Sequence, residues 1–387
     1  MFETIVDGFL DPSRQLFINL KSRVNISRRH NEHPAESNLV PQPKTSNITF
    51  PGSNAQEAWR FSVLVRILEL VHGCLVDNVI MTKRDIYYRH PDLFVKQSVV
   101  DRYVDDLACT FGVSRSLLNV AATAKGLIAG NFSLRRQDGS VVYGLSEKDG
   151  ILVPQVRQED SLDLTPVKWV LVIEKEATFR SLISSTRWAS LGAQGLVLTA
   201  KGYPDLASRK FLRHVADEIP HIPMFAFVDF DPDGIAIMST YKHGSYRLAH
   251  ESVAHKDTPG LRLPELRWLG VQSHHLNRVP VGESVAATAA LPDAQGLMRL
   301  TARDRRKAQQ MLEWNLCAEG GPEPEWRAEL QRMLMLNIKA EMQILDEQAG
   351  GLVSWLGNEL DVMQGSGTGS TSTSAVATID SDDEMLF

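Results

Sequence analysis

Three short, uninterrupted apolar runs constrain the fold of this chain more than any other feature of its sequence. They stand in VKWVLVIEKE (167–176), GLVLTAKG (195–202) and PMFAFVDFDPDG (223–234). Each run has the length of a strand and ends in polar or glycine-rich residues, and helical patterns separate the runs. Continuous apolar strands are buried on both faces, which is typical of parallel sheets covered by helices. The predicted fold class is therefore α/β over residues 165–360, with a mainly parallel sheet followed by C-terminal helices.

Carboxylates stand at the ends of two of these runs. Glu174 follows VLVI, and Asp229 and Asp231 follow MFAFV with one residue between them. Ligands of parallel sheets lie beyond the carboxyl ends of the strands, and alternate residues of an extended segment point the same way. Oxygen ligands without histidine or cysteine favour Mg²⁺, which would relieve the repulsion between the acids. The alternative is that these acids are only helix caps and turn formers.

A different pattern occupies residues 58–150. Helical periodicity runs through 59–78 and 99–113, and Ser114 is placed to cap a further helix over 114–125. Asp138-Gly139, between two apolar runs, predicts a hairpin. Helices followed by a hairpin predict a winged-helix (CAP-like) domain, so the whole chain is a multi-domain α/β protein. Such a domain can set a helix in a DNA groove or serve as a protein-interaction module, and both readings stay open.

Within this region the segment TKRDIYYRHPDLF (82–94) holds two adjacent tyrosines, Tyr87 and Tyr88, with basic residues on both sides. Adjacent residues of a helix point about 100° apart, so only one of the two hydroxyls can face a given phosphate. The other would pack. Most tyrosines are packing residues with a polar tip, and this segment alone does not exclude that role for both.

The remaining features set limits on compartment and partners. Residues 1–57 are predicted to hold an amphipathic helix within 1–24 and then a polar, proline-rich linker, and 361–387 form a disordered acidic tail. No apolar run reaches the length of about 20 residues that a membrane span needs. Three distant cysteines fit neither a disulfide framework nor a metal site, which indicates a reducing compartment. The net charge is −6, but basic residues are clustered, and phosphate affinity depends on local base.

Several motifs occur along the chain in an order that resembles one known family. RDIYY (84–88) precedes VIEKEATF (172–179) and VDFDPDG (228–234), and KGLIAGN, TAKGYPDL and LPELRWLG stand at 125–131, 199–206 and 263–270. In this combination the chain closely resembles the meiotic double-strand-break transesterase family. Those proteins are eukaryotic relatives of the topoisomerase VI A subunit and are type IIB topoisomerase-like. The resemblance covers about residues 58 to 356.

The resemblance implies both domains and their site residues. Residues 58–150 would be the winged-helix domain that carries the nucleophile, which falls on Tyr88, with Arg84 assisting cleavage. Residues 165–360 would be a Toprim domain that binds Mg²⁺. The implied metal ligands are Glu174, Asp229 and Asp231, and the candidate DNA contacts are Tyr203, Lys83, Arg89, Lys201 and Arg209.

The resemblance also implies an activity and its partners. Tyr88 would attack the backbone of double-stranded DNA, leaving a 5′-phosphotyrosyl link, and two such attacks would make the break that initiates meiotic recombination. A homodimer would be the catalytic unit, with the tyrosine of one protomer working beside the metal of the other. No P-loop motif occurs in the chain, so a topoisomerase VI B-like, ATPase-like subunit and other meiotic recombination proteins are expected partners. The expected location is the nucleus, on chromosomes.

Two alternatives remain beside this prediction. A Toprim nuclease that hydrolyses DNA would need the three acids but not Tyr88. A DNA-binding scaffold that does not cleave would need neither. The presence of Tyr88, Arg84 and all three acids together disfavours the scaffold.

Overall fold

The computed structural model describes residues 3, 8, 10, 16–21, 45–121, 125–244, 260–276, 296–348 and 350–365. The predicted linker over residues 28–56 is therefore described only from residue 45 onward, and the predicted tail over 361–387 only at 361–365, which belong to a helix. Among the helices in the described ranges, none is both long enough and apolar enough to cross a membrane.

The secondary structure consists of short strands and helices. The strands are β1 (Leu16–Lys21), β2 (Thr45–Phe50), β3 (Met81–Thr82), β4 (Val120–Ala121), β5 (Leu127–Gly130), β6 (Ser133–Arg135), β7 (Val141–Tyr143), β8 (Ile151–Leu152), β9 (Ser161–Asp163), β10 (Trp169–Ile173), β11 (Gly195–Thr199), β12 (Met224–Phe227), β13 (Leu266–Gly270), β14 (Leu297–Arg299) and β15 (Ile338–Ala340). The helices are α1 (Ala55–Val76), α2 (Lys83–Arg89), α3 (Pro91–Phe94), α4 (Gln97–Phe111), α5 (Glu176–Ile183), α6 (Trp188–Leu191), α7 (Leu206–Glu218), α8 (Pro232–Lys242), α9 (Ser273–Leu276), α10 (Ala302–Leu312), α11 (Pro324–Leu336) and α12 (Gly351–Gly365).

A six-stranded sheet organises the larger part of the molecule. Its strand order is β13-β12-β10-β11-β5-β8. The four strands from β13 to β11 are parallel, and β5 and β8 add an antiparallel edge. Every residue of β10, β11 and β12 is buried, which is the reason why their sequences are continuously apolar. The predicted mainly parallel α/β sheet is confirmed.

Two hydrophobic cores divide the described chain between Val120 and Leu127. The first core is built by α1, α2, α4 and the β1–β2 pair, and the second surrounds the large sheet. The predicted boundary near residue 150 is therefore misplaced, because β5 and β8 pair within the large sheet. The predicted hairpin forms between β6 and β7, but Phe132 beside it packs in the second core. A winged helix over 58–150 stays a prediction.

The described part of residues 16–57 corrects the expectation of a helix followed by a linker, whereas residues 3, 8 and 10 are helical. Residues 16–21 form a strand whose side chains are alternately buried and exposed, and this strand pairs antiparallel with β2. The physical reason is a period of two: Leu16, Ile18 and Leu20 all turn to the first core. Residues 16–21 of the amphipathic stretch are thus an edge of the first core.

The predicted helix over 114–125 is also much shorter than expected. Only Arg115–Leu118 form a single 3₁₀ turn, and Asn119 ends it in the left-handed region at φ 52°. The side-chain amide of Asn119 donates to the carbonyl of Cys74 at 3.0 Å. This turn sends the chain back so that β4 pairs in parallel with β3, directly before α2.

Candidate active site

Helix α2 presents the tyrosine pair, and its start is fixed by a capping box. The Oγ1 atom of Thr82 accepts from the Asp85 N–H at 3.1 Å, and the Asp85 carboxylate accepts from the Thr82 N–H at 2.9 Å. Ile86 is fully buried in the first core. The cap sets where the helix begins, and Ile86 sets which face turns inward.

The two tyrosines point in different directions from this helix. Tyr87 is half-buried and packs against the first core, whereas Tyr88 is 67 % exposed. Their ring centroids lie 5.4 Å apart. Arg84 is also exposed and stands four residues before Tyr88, so the two side chains share one helix face. The predicted nucleophile and its predicted assistant therefore lie side by side on the outside of the first core.

Lys83 occupies a different place from its neighbour Arg84. Its Nζ lies 2.5 Å from Oδ1 of Asp105 and 3.2 Å from the carbonyl of Asp101, and its side chain is 13 % exposed. Burial lowers the pKa of Lys83 although the Asp105 carboxylate opposes this. The prediction that Lys83 contacts DNA conflicts with this placement, because its ammonium faces inward and ties α2 to α4. Arg89 is exposed and remains a candidate.

The three predicted metal ligands meet at one edge of the large sheet. Glu174 follows β10, and Asp229 and Asp231 follow β12, the parallel neighbour of β10. The Asp229 N–H donates to Oε2 of Glu174 at 3.0 Å. Asp231 caps α8 and accepts from the Gly234 N–H at 2.7 Å. Gly234 is required here, because a Cβ would lie 2.4 Å from the carbonyl oxygen of Asp229.

Burial dominates the electrostatics of these acids. Burial and the nearby Asp229 raise the pKa of Glu174 to about 8, and burial likewise raises the pKa of Asp229 and of Asp231. Over the described ranges, no three His, Cys, Asp or Glu side chains converge closely enough to hold an ion as they stand. Mg²⁺ commonly takes one or two carboxylates and keeps several waters. The donor set fits such an ion, which would offset the charge that the buried acids develop on ionisation.

Lys175 supplies a positive charge beside the acids. Its Nζ lies 3.0 Å from Oδ2 of Asp229, 3.1 Å from Oε2 of Glu341 and 3.2 Å from Oε1 of Gln343. Burial opposes its charged form, yet Asp229 and Glu341 hold the pKa of Lys175 above its usual value. The other Asp229 oxygen accepts from the Met342 N–H at 2.9 Å. Sequence reasoning missed this contact, although Lys175 directly follows Glu174.

Asp233 and Tyr203 form a separate polar cluster. The Tyr203 hydroxyl donates to Oδ1 of Asp233 at 3.2 Å, and Lys307 pairs with Asp233 and donates to the Tyr203 oxygen at 2.9 Å. Asp233 is therefore engaged by α10 and not directed to the other acids. Lys201 stands nearby with φ 56° and contacts Glu176 at 3.0 Å. Tyr203 keeps 46 % of its surface exposed and remains a candidate DNA contact.

Arg209 is misplaced in the predicted DNA-binding set. It is buried at 4 % exposure on α7, and its Nη2 donates to the carbonyl of Leu261 at 3.0 Å. The sequence cluster of bases around it does not distinguish the inner face of α7 from the outer one. A guanidinium in this position ties a loop to the helix and cannot reach a phosphate on the surface.

Comparison with known proteins finds a family model for the region that carries the acids and another for the region that carries the tyrosine pair. The family model for the Toprim domain of the topoisomerase 6 A-subunit/Spo11 proteins matches residues 169–354, and the model described as Type IIB DNA topoisomerase matches residues 59–120. The second match spans α1 to β4 and ends with the first core.

Similar curated proteins agree with these matches. Meiotic recombination protein rec12 of Schizosaccharomyces pombe is 33% identical, with 92% of each chain covered. Meiotic recombination protein SPO11 of Homo sapiens is 35% identical, over 75% of this chain and 68% of its own. The A subunit of DNA topoisomerase 6 from Arabidopsis thaliana is 29% identical, over 80% of this chain and 69% of its own.

These matches confirm the predicted Toprim domain and the predicted resemblance. Toprim domains typically bind a divalent metal, and Glu174, Asp229 and Asp231 follow two neighbouring strands of the parallel sheet. The chain belongs to the topoisomerase 6 A-subunit/Spo11 family of DNA-cleaving, type IIB topoisomerase-like enzymes.

Proposed function

We propose that this protein makes the DNA double-strand breaks that initiate meiotic recombination, by transesterification with Tyr88 as the nucleophile. The observation that carries the proposal is the placement of the pair: Tyr88 is 67 % exposed beside Arg84, whereas Tyr87 packs on the first core. A hydroxyl that attacks DNA has to reach a phosphate from the surface, and Tyr88 meets this condition.

The proposed step exchanges one phosphodiester for another. The Tyr88 oxygen forms a bond to phosphorus and loses its proton, while the bond from phosphorus to the 3′-oxygen breaks and that oxygen takes a proton. No water is consumed, and the products are a 5′-phosphotyrosyl end and a free 3′-hydroxyl. Arg84 presents guanidinium N–H donors on the same face, suited to the negative charge that builds on the phosphate oxygens.

Glu174, Asp229 and Asp231 would hold Mg²⁺. When bound, a divalent ion supplies Lewis-acid stabilisation of the phosphate and of the leaving oxygen. The buried acids support this assignment, because burial raises their pKa values by disfavouring the ionised form, and a bound cation would stabilise that form. Lys175 supplies part of that positive charge and leaves room for a metal, since its ammonium is directed to Asp229 and Glu341.

Two attacks on opposite strands require two protomers. We propose a homodimer in which Tyr88 of one protomer works beside the carboxylates of the other, on double-stranded DNA, with a B-like ATPase-type subunit and other recombination proteins as partners. The proposed location is the nucleus, on meiotic chromosomes. The names of the curated relatives, which are meiotic recombination proteins, support this assignment.

The test is made in meiotic cells, where partners are present. The protein is captured from denatured extract, and short DNA attached to it is labelled and measured for wild type, Tyr88→Phe and Tyr87→Phe. We expect attached DNA with wild type and Tyr87→Phe, and none with Tyr88→Phe. Folding of each variant is checked by its abundance and by co-capture of wild-type protein.

The two alternatives give different results in the same experiment. Breaks without attached DNA in any sample would indicate hydrolysis, and the nucleophile would be water. Absence of both breaks and attached DNA in wild-type cells would favour a scaffold. Either result would overturn the proposed reaction.

A further inference from the structure

The Lys175 ammonium lies among side-chain oxygens that could otherwise contact a metal ion. Its ammonium is surrounded by Oδ2 of Asp229, Oε2 of Glu341 and Oε1 of Gln343, all within 3.2 Å. These are hard oxygen donors of the kind that bind Mg²⁺. Here these oxygens contact the Lys175 ammonium, a cation that belongs to the chain itself.

Asp229 is the acid that this contact affects most. One of its oxygens accepts from the Met342 N–H at 2.9 Å, and the other faces Lys175 at 3.0 Å. In two-metal sites the ions lie about 3.5–4 Å apart and share the intervening oxygens. An ammonium beside Asp229 repels a second divalent ion and takes the lone pairs that would bridge to it.

Glu341 shows that the position has the ligands for an ion once the lysine is removed. Its side chain is 45% exposed, so solvent and ions reach it. It follows β15, whose Ala340 pairs with Phe230 between the two aspartates, and the backbone therefore fixes its distance from Asp229. Without the ammonium, Asp229, Glu341 and Gln343 would form an oxygen-lined site of excess negative charge.

We propose that Lys175 acts as a built-in cation that replaces a second metal and limits the site to one divalent ion. This inference rests on the proposed metal-binding role of Glu174, Asp229 and Asp231. Lys175 is thereby a positioning residue: it holds Asp229 in place and supplies a charge that does not depend on the concentration of free metal.

The number of Mn²⁺ ions bound by the purified full chain tests the proposal, measured by titration calorimetry and by the loss of the free-ion paramagnetic resonance signal. We expect one ion for wild type and for Lys175→Arg, which keeps the charge. We expect two ions for Lys175→Ala and one again for the double variant Lys175→Ala/Glu341→Gln. Lys168→Ala, which alters an exposed lysine just before β10, is the matched control and should bind one ion.

The outcomes separate this inference from the proposed function. Two ions in wild type, or one ion in Lys175→Ala, would overturn the role of Lys175 and leave the metal site intact. No ion in wild type would overturn the proposed metal site, and this inference with it. Lys175→Met, which keeps the apolar stem of the side chain, repeats the test if circular dichroism shows that the alanine variant is unfolded.

Discussion

Glu174 shows how burial and a neighbouring carboxylate change the pKa of a side chain. Its pKa lies at about 8 against an ordinary value of 4.5. Between these two pH values the folded protein holds a proton that the unfolded chain releases, so unfolding becomes more favourable as the pH rises. We expect the metal-free protein to lose thermal stability between pH 4.5 and 8. Unfolding temperature measured in EDTA across this range checks the trend.

Glu174→Gln is the control for this trend, because an amide cannot titrate. We expect its slope with pH to be shallower than that of wild type, with a residual slope from Asp229 and Asp231, whose pKa values are also raised. Added Mg²⁺ should stabilise wild type more at pH 8 than at pH 5.5, because the metal competes with protons for the carboxylates. Equal slopes in wild type and Glu174→Gln would contradict the buried, protonated state of Glu174.

Lys83 and Arg84 are adjacent in sequence but have different roles. Alanine substitutions at the two positions should therefore differ in their effect on stability. Lys83→Ala removes the closer of the two cations that pair with the buried Asp105 carboxylate and leaves Arg115 at 3.4 Å. We expect it to lower the free energy of unfolding by about 3 kcal/mol, near the lower end for a broken buried pair. Arg84→Ala, at an exposed position, should cost less than about 0.5 kcal/mol. Urea unfolding measures both.

The effect on DNA attachment should be in the opposite order, with Arg84 mattering more than Lys83. Arg84→Ala is expected to abolish covalent attachment of DNA in meiotic cells while the protein remains folded and abundant. Lys83→Arg keeps the charge of the buried pair and should retain attachment. Loss of attachment in Lys83→Arg with unchanged stability would restore Lys83 as a DNA contact.

At the scale of elements, the cap of α2 decides how well Tyr88 is held. Thr82→Ala removes the two hydrogen bonds between its hydroxyl and Asp85, one of which belongs to the capping box, and we expect a loss of about 1 kcal/mol in the free energy of unfolding. The loss should also reduce DNA attachment, because the first turn of a seven-residue helix frays without its cap. Thr82→Ser keeps the oxygen and should restore both properties. Thermal unfolding and the attachment assay, run together, show whether the two move in parallel.

The elements that could be predicted from the sequence are those whose hydrophobic pattern fits only one type of secondary structure. β10, β11 and β12 are continuously apolar because both faces are covered, and the acids that follow them had to meet at the same sheet edge. β1 was mistaken for a helix because Phe17 and Leu20 also fit a period of 3.6, although the three buried residues recur every second position. The 3₁₀ turn at Arg115–Leu118 had no local signal, since pairing of β4 with β3 decides it.

The site was predictable where motifs lie next to strand ends, and not where distant segments meet. Glu174, Asp229 and Asp231 stand in local motifs, and the structure places them at the same edge of the sheet. Glu341 reaches Lys175 only because β15 passes beside Phe230, and Lys307 reaches Asp233 only through the packing of α10. Arg209 was assigned to the surface because a sequence pattern of bases does not show which face of a helix is buried.

For the whole molecule, the division into two cores separates the parts of the reaction. Tyr88 and Arg84 stand on the first core, and the three carboxylates stand at the edge of the sheet in the second. A cavity of about 310 Å³ lies between the cores, lined by Arg115 and Val120 on one side and Lys210 and Phe211 on the other. The proposed nucleophile and the proposed metal ligands are thus carried by separately packed units, which is compatible with the proposed sharing between protomers.

A mixed dimer tests whether the tyrosine and the carboxylates act across protomers. Two differently tagged variants, Tyr88→Phe and Asp229→Asn, are co-expressed in meiotic cells, and dimers carrying both tags are captured in sequence. If each site takes its tyrosine from one protomer and its acids from the other, one site carries both lesions and the other is intact. Such dimers should attach DNA through the Asp229→Asn protomer alone, and cut one strand.

The opposite arrangement predicts a different result for the same sample. If each site draws on a single protomer, every site in the mixed dimer carries one lesion and no DNA is attached. Dimers of either variant with itself are inactive in both arrangements, so they set the background. Attachment to the Tyr88→Phe protomer would contradict the assignment of the nucleophile, because that chain lacks the hydroxyl. The number of DNA strands cut and the tag that carries the DNA are measured in one experiment. Together they show whether an active site combines the two cores of one chain or cores from two chains.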